Sequence, residues 1–438
     1  MGAASVEDSL RQAWDSYQKL QKLNLQQRAD LLTAAVVKLQ ANRESLARLI
    51  TLEMGKPIKD SLAEIDKSIF TLTYLTRSTH FRLGNQSVQE ADLKCTVRHR
   101  PLGPILAIMP WNFPLWQLVR VLGPAVLNGC PVLLKHSDGV AGSAELITSF
   151  FSDAGSLLFN LRLALPQIET VIADARIKAV TLTGSVQAGS AVGALAGRYL
   201  KKSVLELGGS DPYLVFEDAD IEKAASLCAQ SRLINNGQSC IAAKRFYIHQ
   251  AVFEDFMESF QRELQAKKIG LPLSSETDLG PLANAKQLLL LNDQMEAAKQ
   301  EGLQEIFRRN HQQNGGSYSD LVVLKGRGQE KAFLEEEFFG PVALVANFNQ
   351  EAEAIRMANQ SIYGLGAAVF CADSNRARRV GQELEVGLVA WNDFVRSDVR
   401  FPFGGFKFSG YGRELGIAGF QEFLGTQTFL WDFDVNTF

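Results

Sequence analysis

Four short apolar, β-branched runs, GPILAIMP, CPVLLKH, KAVTLTG and KSVLELGG, follow one another between residues 103 and 209. Each ends in glycine or a polar turn, and helical stretches such as AGSAELITSFF and QAGSAVGALAGRYL lie between them. Strands this short and apolar are buried on both faces, and helix-strand alternation buries them as a parallel, doubly wound sheet. A second alternating region starts near DPYLVFEDADIEKAASLCAQSRL and runs through KRFYIHQ, AVFEDFMESFQRELQAKK and PVALVANF to GLVAWND. It predicts a second α/β domain. Residues 6 to about 80 read as a helical block, with three-four apolar spacing in RADLLTAAVVKLQANRESLARLITLEMG that stops at Gly55 and Pro57. LKCTVRHRPLG has strand character, and so does the aromatic tail FLGTQTFLWDFDV. A lone terminal strand must pair, either with LKCTVRHR or with a partner subunit.

The 438 residues, 46% hydrophobic and 21% charged, suit two or three globular domains. A net charge of -3 gives no electrostatic basis for nucleic acid or an anionic membrane. Five unpaired-looking cysteines point to a reducing cytoplasm, and five scattered histidines show no metal-ligand spacing. No apolar run is long enough to cross a bilayer, and the glycine-2 pattern of MGAASV reads as a chance match to a myristoylation site.

In open α/β sheets, ligands bind beyond the carboxyl ends of the strands. Asn112, in IMPWNFP, stands at one such end, where its amide could donate to a developing oxyanion or simply shape a turn. Lys135 and Asp138 end the next strand and suit the hydroxyls of a ribose, or a solvated loop. Gly184 and Ser185, in TLTGSVQ, open a helix whose N-terminus favours a phosphate, although the segment is not GxGxxG. Glu206 precedes the paired glycines 208 and 209 in ELGG, which let a ligand approach the backbone. Cys240, in NNGQSC, sits in a polar turn where a thiolate could attack a carbonyl, the alternative being an inert buried thiol.

Taken together, PWNFP, the Lys135 strand end, TGS, ELGG, GQSC, EEEFFGPV and PFGGFKFSGYGRELG occur in the order found in the aldehyde dehydrogenase superfamily, which the chain resembles over nearly its whole length. The resemblance implies an aldehyde dehydrogenase-like fold: a Rossmann-like cofactor domain, a catalytic domain and a small β oligomerisation arm. By it, residues 1–82 and 102–208 form the NAD-binding domain, 209–415 the catalytic domain, and 83–101 with 416–438 the oligomerisation strands of a homodimer or homotetramer. It implies Cys240 as nucleophile, Asn112 as oxyanion donor and Glu206 as the base that activates water. The matching cofactor contacts are Met109, Trp111, Lys135, Asp138, Gly184, Ser185, Leu207, Glu337 and Phe339. An acid at Asp138 would repel a 2'-phosphate, favouring NAD with NADP possible.

The substrate implied is succinate semialdehyde. Arg120, near the mouth of the expected tunnel, resembles the arginine that succinate-semialdehyde dehydrogenases use to grip the distal carboxylate. Trp116 and Ser397 join it as substrate residues. Other aliphatic aldehydes, a catalytically weak relative and a CoA-acylating variant are the alternatives. Three departures bear on these: Ile234 stands where many such enzymes carry a second arginine, SLLFNLRLALPQIE after FSDAG replaces a glycine- and proline-bearing stretch bordering the cofactor pocket, and the chain begins inside the first helical block.

Overall fold

The computed structural model describes residues 5–78, 86–90, 93–313 and 315–431. Gly2, residues 83–85 and 91–92 of the expected arm, and its end at 432–438 lie outside them.

Four helices open the chain: α1 (Val6–Leu20), α2 (Leu25–Ala41), α3 (Arg43–Met54) and α4 (Ile58–Arg77). Local chemistry sets their ends. Asn24 and Gln27 form a capping box at the start of α2, and α3 stops at Gly55, whose φ of 83° is left-handed. The apolar pattern therefore does end at Gly55, but a further helix follows at once.

Strands β1 (Gln86–Glu90) and β2 (Leu93–Pro101) precede the first large sheet, which begins with β3 (Ile105–Met109). Helix α5 (Trp116–Leu127) leads to β4 (Val132–His136), α6 (Ala141–Ser152) to β5 (Leu158–Asn160), α7 (Gln167–Ala173) to β6 (Ala179–Thr183), and α8 (Val186–Arg198) to β7 (Lys202–Glu206). The second sheet uses β8 (Asp211–Val215), β9 (Ala243–His249), β10 (Gln304–Arg309), β11 (Leu321–Lys325) and β12 (Val342–Phe348). After the short β13 (Tyr363–Gly364) it adds β14 (Gly366–Phe370) and β15 (Leu388–Trp391). Two short strands, β16 (Phe406–Lys407) and β17 (Gly410–Tyr411), and β18 (Leu424–Phe429) close the chain.

The first sheet has the order β17-β7-β6-β3-β4-β5, with every pair parallel except β17 with β7. Chain order therefore runs outward in both directions from the β3/β6 pair, which makes a topological switch point and the place for a ligand crevice. The second sheet has the order β10-β11-β12-β9-β8-β14-β15 and is parallel apart from β10. β18 pairs antiparallel with β2, from Leu424↔Pro101 to Phe429↔Thr96, so the tail's neighbour is the LKCTVRHR strand of the same chain.

Two details add to the sequence reading. The stretch after FSDAG forms β5 beside β4, and Leu157, Leu158, Leu161 and Leu163 are buried. And β17, from within 209–415, returns to the first sheet to pair with β7.

Candidate active site

β3 delivers Met109, buried at its last position, and then the turn carrying Trp111, Asn112 and Phe113. Asn112 is 3% exposed, and its amide is engaged on both sides. Nδ2 donates to the Gln238 carbonyl at 2.9 Å, and Oδ1 accepts from Gln117 Nε2 at 3.1 Å. Its own carbonyl accepts from Asn235 Nδ2 at 3.0 Å and from Lys56 Nζ at 3.3 Å. The turn after β3 is thus fastened to the loop that carries Cys240.

That loop has an unusual backbone. Asn235, Asn236 and Gly237 take φ of 56°, 59° and 74°, left-handed values that cost two non-glycine residues free energy of order 1 kcal/mol each. Buried hydrogen bonds offset the cost: Asn236 Nδ2 donates to the carbonyls of Gly55 and Pro281, and its Oδ1 accepts from Gly280 N. Gly237 has no alternative residue, since a Cβ there would lie 2.5 Å from the Gly340 carbonyl group. Beneath the loop, fully buried Lys244 donates to the carbonyls of Ser239, Cys240 and Ala242 at 2.9–3.0 Å. Cys240 is held half-buried. Burial pushes its thiol up to about 12, against the opposing pull of Arg120 and Lys244.

Glu206 ends β7 at 2% exposure, and neither of its carboxylate oxygens has a hydrogen-bond partner. Burial, and then the neighbouring Glu414, push it well above the usual carboxylate range, while Arg120 and Arg413 pull it down. A buried carboxyl with unengaged oxygens and a raised proton affinity has the properties of a general base awaiting a proton donor. The paired glycines that follow have a steric reason. A Cβ on Gly208 would lie 2.4 Å from Glu337 Oε2, and one on Gly209 would lie 2.5 Å from the Cys240 carbonyl oxygen. Glu337 Oε1 accepts from Gly209 N at 3.0 Å and lies 3.6 Å from Lys244 Nζ.

The predicted cofactor residues gather at the carboxyl ends of β3, β4, β6 and β7. Lys135 Nζ donates to Asp138 Oδ1 and to the His136 carbonyl, both at 2.8 Å, and the Asp138 side chain is 93% exposed. Ser185 caps α8, accepting from Ala188 N at 3.2 Å, and Gly184 N donates to the Glu206 carbonyl. Buried Leu207 donates its N–H to the Ser409 carbonyl. Trp111 meets Phe339 edge-on at 5.7 Å. A cation, an exposed carboxylate, a helix N-terminus and flanking aromatics form a donor set that fits a nicotinamide dinucleotide at the switch point.

Cys240 borders a cavity of about 510 Å³ that Lys67, Phe113, Trp116, Gln117, Arg120, Ile234 and Ser397 also line. Arg120 is not at a mouth. It is 3% exposed, its Nε is 2.7 Å from Glu414 Oε2, and its guanidinium lies 4.9 Å from the Phe403 ring centroid. A guanidinium leaves water only with a counter-charge, and Glu414 supplies it. That contact is an ion pair without hydrogen-bond geometry, so both Nε and Nη2 remain without a hydrogen-bond partner.

The aldehyde dehydrogenase family model matches residues 1–429. The chain belongs to the aldehyde dehydrogenase family. It is 40% identical over 430 residues to the succinate semialdehyde dehydrogenase [NAD(P)+] Sad of Escherichia coli, covering 98% of this chain and 93% of that protein. It is 37% identical to the succinate-semialdehyde dehydrogenase [NADP(+)] of Deinococcus radiodurans, covering 96% of this chain and 89% of that one. The succinic semialdehyde dehydrogenase of Streptococcus pyogenes, solved with NADP+, superposes with a TM-score of 0.94 at 31% identity, covering 98% of this chain and 96% of that one. The family oxidises aldehydes with a nicotinamide cofactor, and the α/β fold of parallel sheets is the one such structures share.

Sequence reasoning missed the groups that hold this site in place: Lys56, Glu64, Asn235, Asn236, Lys244 and Glu414. Glu64 accepts from the N–H groups of Leu115 and Trp116 at the start of α5 and forms a fully buried ion pair with Lys56. A lysine four residues after a candidate nucleophile was a visible signal. The partners of Lys56 and Arg120 lie on other elements and left none.

Proposed function

We propose that this enzyme oxidises succinate semialdehyde to succinate with NAD or NADP. The observation that carries the reading is Cys240 on the wall of a cation-bearing cavity, with Asn112 tied to its loop and the unengaged Glu206 carboxyl nearby. Cys240 Sγ loses its proton to solvent and bonds the aldehyde carbon as the C=O π pair moves onto oxygen, giving a thiohemiacetal whose oxyanion takes hydrogen bonds from the Asn112 amide and the Cys240 N–H. A nicotinamide cofactor, when bound, would supply the hydride acceptor for that carbon, which leaves Cys240 acylated as a thioester. Glu206 takes a proton from water as its oxygen bonds the thioester carbon, the C–S bond breaks, and succinate leaves.

Met109, Trp111, Lys135, Asp138, Gly184, Ser185, Leu207, Glu337 and Phe339 hold the cofactor, and Arg120, Trp116 and Ser397 face the substrate. The names and cofactors of the E. coli, D. radiodurans and S. pyogenes relatives support the substrate and both cofactors. Residues 1–82 with 102–208 serve cofactor binding and 209–415 catalysis. The three-stranded arm makes a homo-oligomer, working in the cytoplasm. No helix of the described residues is long and apolar enough to cross a membrane.

Steady-state reduction of each cofactor across an aldehyde panel tests the reading. A kcat/KM for succinate semialdehyde no higher than for uncharged aldehydes would remove the substrate assignment. Acyl-CoA formation in place of free acid would remove the hydrolytic role of Glu206.

A further inference from the structure

Five cationic side chains border the Cys240 cavity: Lys59, Lys67, Arg120, Lys267 and Arg396. Four are compensated. Lys59 pairs with Asp278 at 2.5 Å, Arg120 with Glu414 at 2.7 Å, Arg396 with Asp393 at 2.7 Å, and Lys267 with Glu263 at 3.9 Å. Among the described residues, Lys67 alone of the five forms no ion pair.

Its surroundings make that state costly. Lys67 projects from α4 so that Nζ lies 4.2 Å from the Trp116 ring centroid and donates to Ser397 Oγ at 3.1 Å. Trp116 and Ser397 are themselves buried, at 5% and 3% exposure. Burial, reinforced by Arg120 and Arg396 and opposed by Asp398 and Glu64, brings the ammonium down to about 8. The two acids that oppose this are already engaged, Glu64 by Lys56 and Asp398 by Arg400. A half-buried, uncompensated cation between an aromatic face and a hydroxyl is a site for an incoming carboxylate, which would accept from both Nζ and Oγ.

Accordingly we infer that Lys67, with Ser397, binds the distal carboxylate of the substrate and sets the preference for ω-carboxylated aldehydes. Arg120 differs from Lys67 in already facing a carboxylate, Glu414, and can add a hydrogen bond from Nη2. The inference rests on the proposed semialdehyde oxidation and assigns the residue that reads the substrate's charge. It also accounts for Ile234: with Lys67 supplying the cation, no second arginine is needed there.

The test compares succinate semialdehyde with butanal, which has the same four-carbon chain without the carboxylate. The ratio of their kcat/KM values is measured in wild type, Lys67→Met, Lys67→Arg and Ser397→Ala. Lys67→Met should lower the ratio about 30-fold, through KM for the semialdehyde, as expected for losing one charge-assisted hydrogen bond. Lys67→Arg should keep most of it, and Ser397→Ala should lower it by about fivefold, one neutral hydrogen bond. In wild type, KM for the semialdehyde should rise above pH about 8 as the ammonium deprotonates, and this limb should be absent in Lys67→Met. A ratio in Lys67→Met within about threefold of wild type, or an equal loss on both aldehydes, overturns the role of Lys67. A wild-type enzyme without preference for the semialdehyde instead removes the substrate reading itself, a result distinct from failure of the variant.

Discussion

Cys240 and Glu206 both hold their protons more tightly than the free side chains do, and burial is the first cause in each case. The sign for catalysis follows. Glu206 can take a proton from water only after losing its own, so thioester hydrolysis should slow as pH falls through its raised pKa. Glu206→Gln should remove that limb and cut steady-state turnover at least about 100-fold, the usual worth of a positioned base. The first hydride release should persist as a burst, visible in stopped-flow. Cys240→Ala should abolish the burst as well. At the cofactor end, Asp138 is nearly fully exposed and paired with Lys135, so its repulsion of a 2'-phosphate acts through water. At that dielectric it is worth about 1 kcal/mol, and Asp138→Ser should raise the NADP-to-NAD ratio of kcat/KM about fivefold. Among single residues, those in polar, glycine-bearing turns were legible in the sequence, because turn chemistry is local. Arg120 was legible as a cation of the cavity but not in its setting, since the partner that balances it, Glu414, arrives from the far end of the chain.

The elements were legible where one stretch of sequence carries its own signal: the four short apolar strands, each ending in glycine or a polar turn, and the stop at Gly55. What could not be read was how elements lace together. β17 inserts Gly410 opposite Glu206, and its Cβ-free backbone allows this, for a Cβ would sit 1.9 Å from the Leu205 carbonyl oxygen. The same return brings Arg413 and Glu414 to the site. Likewise α4 fixes the start of α5 through Glu64, whose carboxylate serves two backbone N–H groups and Lys56 at once. Replacing Glu64 by Gln leaves Lys56 buried without a counter-charge. It should cost about 3 kcal/mol in denaturant unfolding. It should also lower kcat, since Lys56 donates to the Asn112 carbonyl and so helps fix the proposed oxyanion donor.

At the scale of the molecule, the inner strands of the two sheets are largely buried on both faces, but the β1-β2-β18 arm is not. All five residues of β1 are exposed, and Val88 and Leu430 add apolar surface there. A three-stranded sheet with open faces is stabilised by covering it. The second sheet meanwhile ends in β15, an edge strand that presents Val389 and Trp391 at 41% and 48% exposure. An arm that needs a cover and an edge that needs a strand are complementary between two copies of the chain. The sequence reading left the tail's partner open between LKCTVRHR and another subunit. The pairing of β18 with β2 within the chain still leaves the arm as a whole free to seat on a second copy. A carboxylate placed on that edge opposes strand addition without touching the cavity around Cys240. Val389→Asp should therefore shift sedimentation toward monomer while leaving the far-ultraviolet circular dichroism unchanged. An unaltered sedimentation coefficient would place the interface elsewhere than β15.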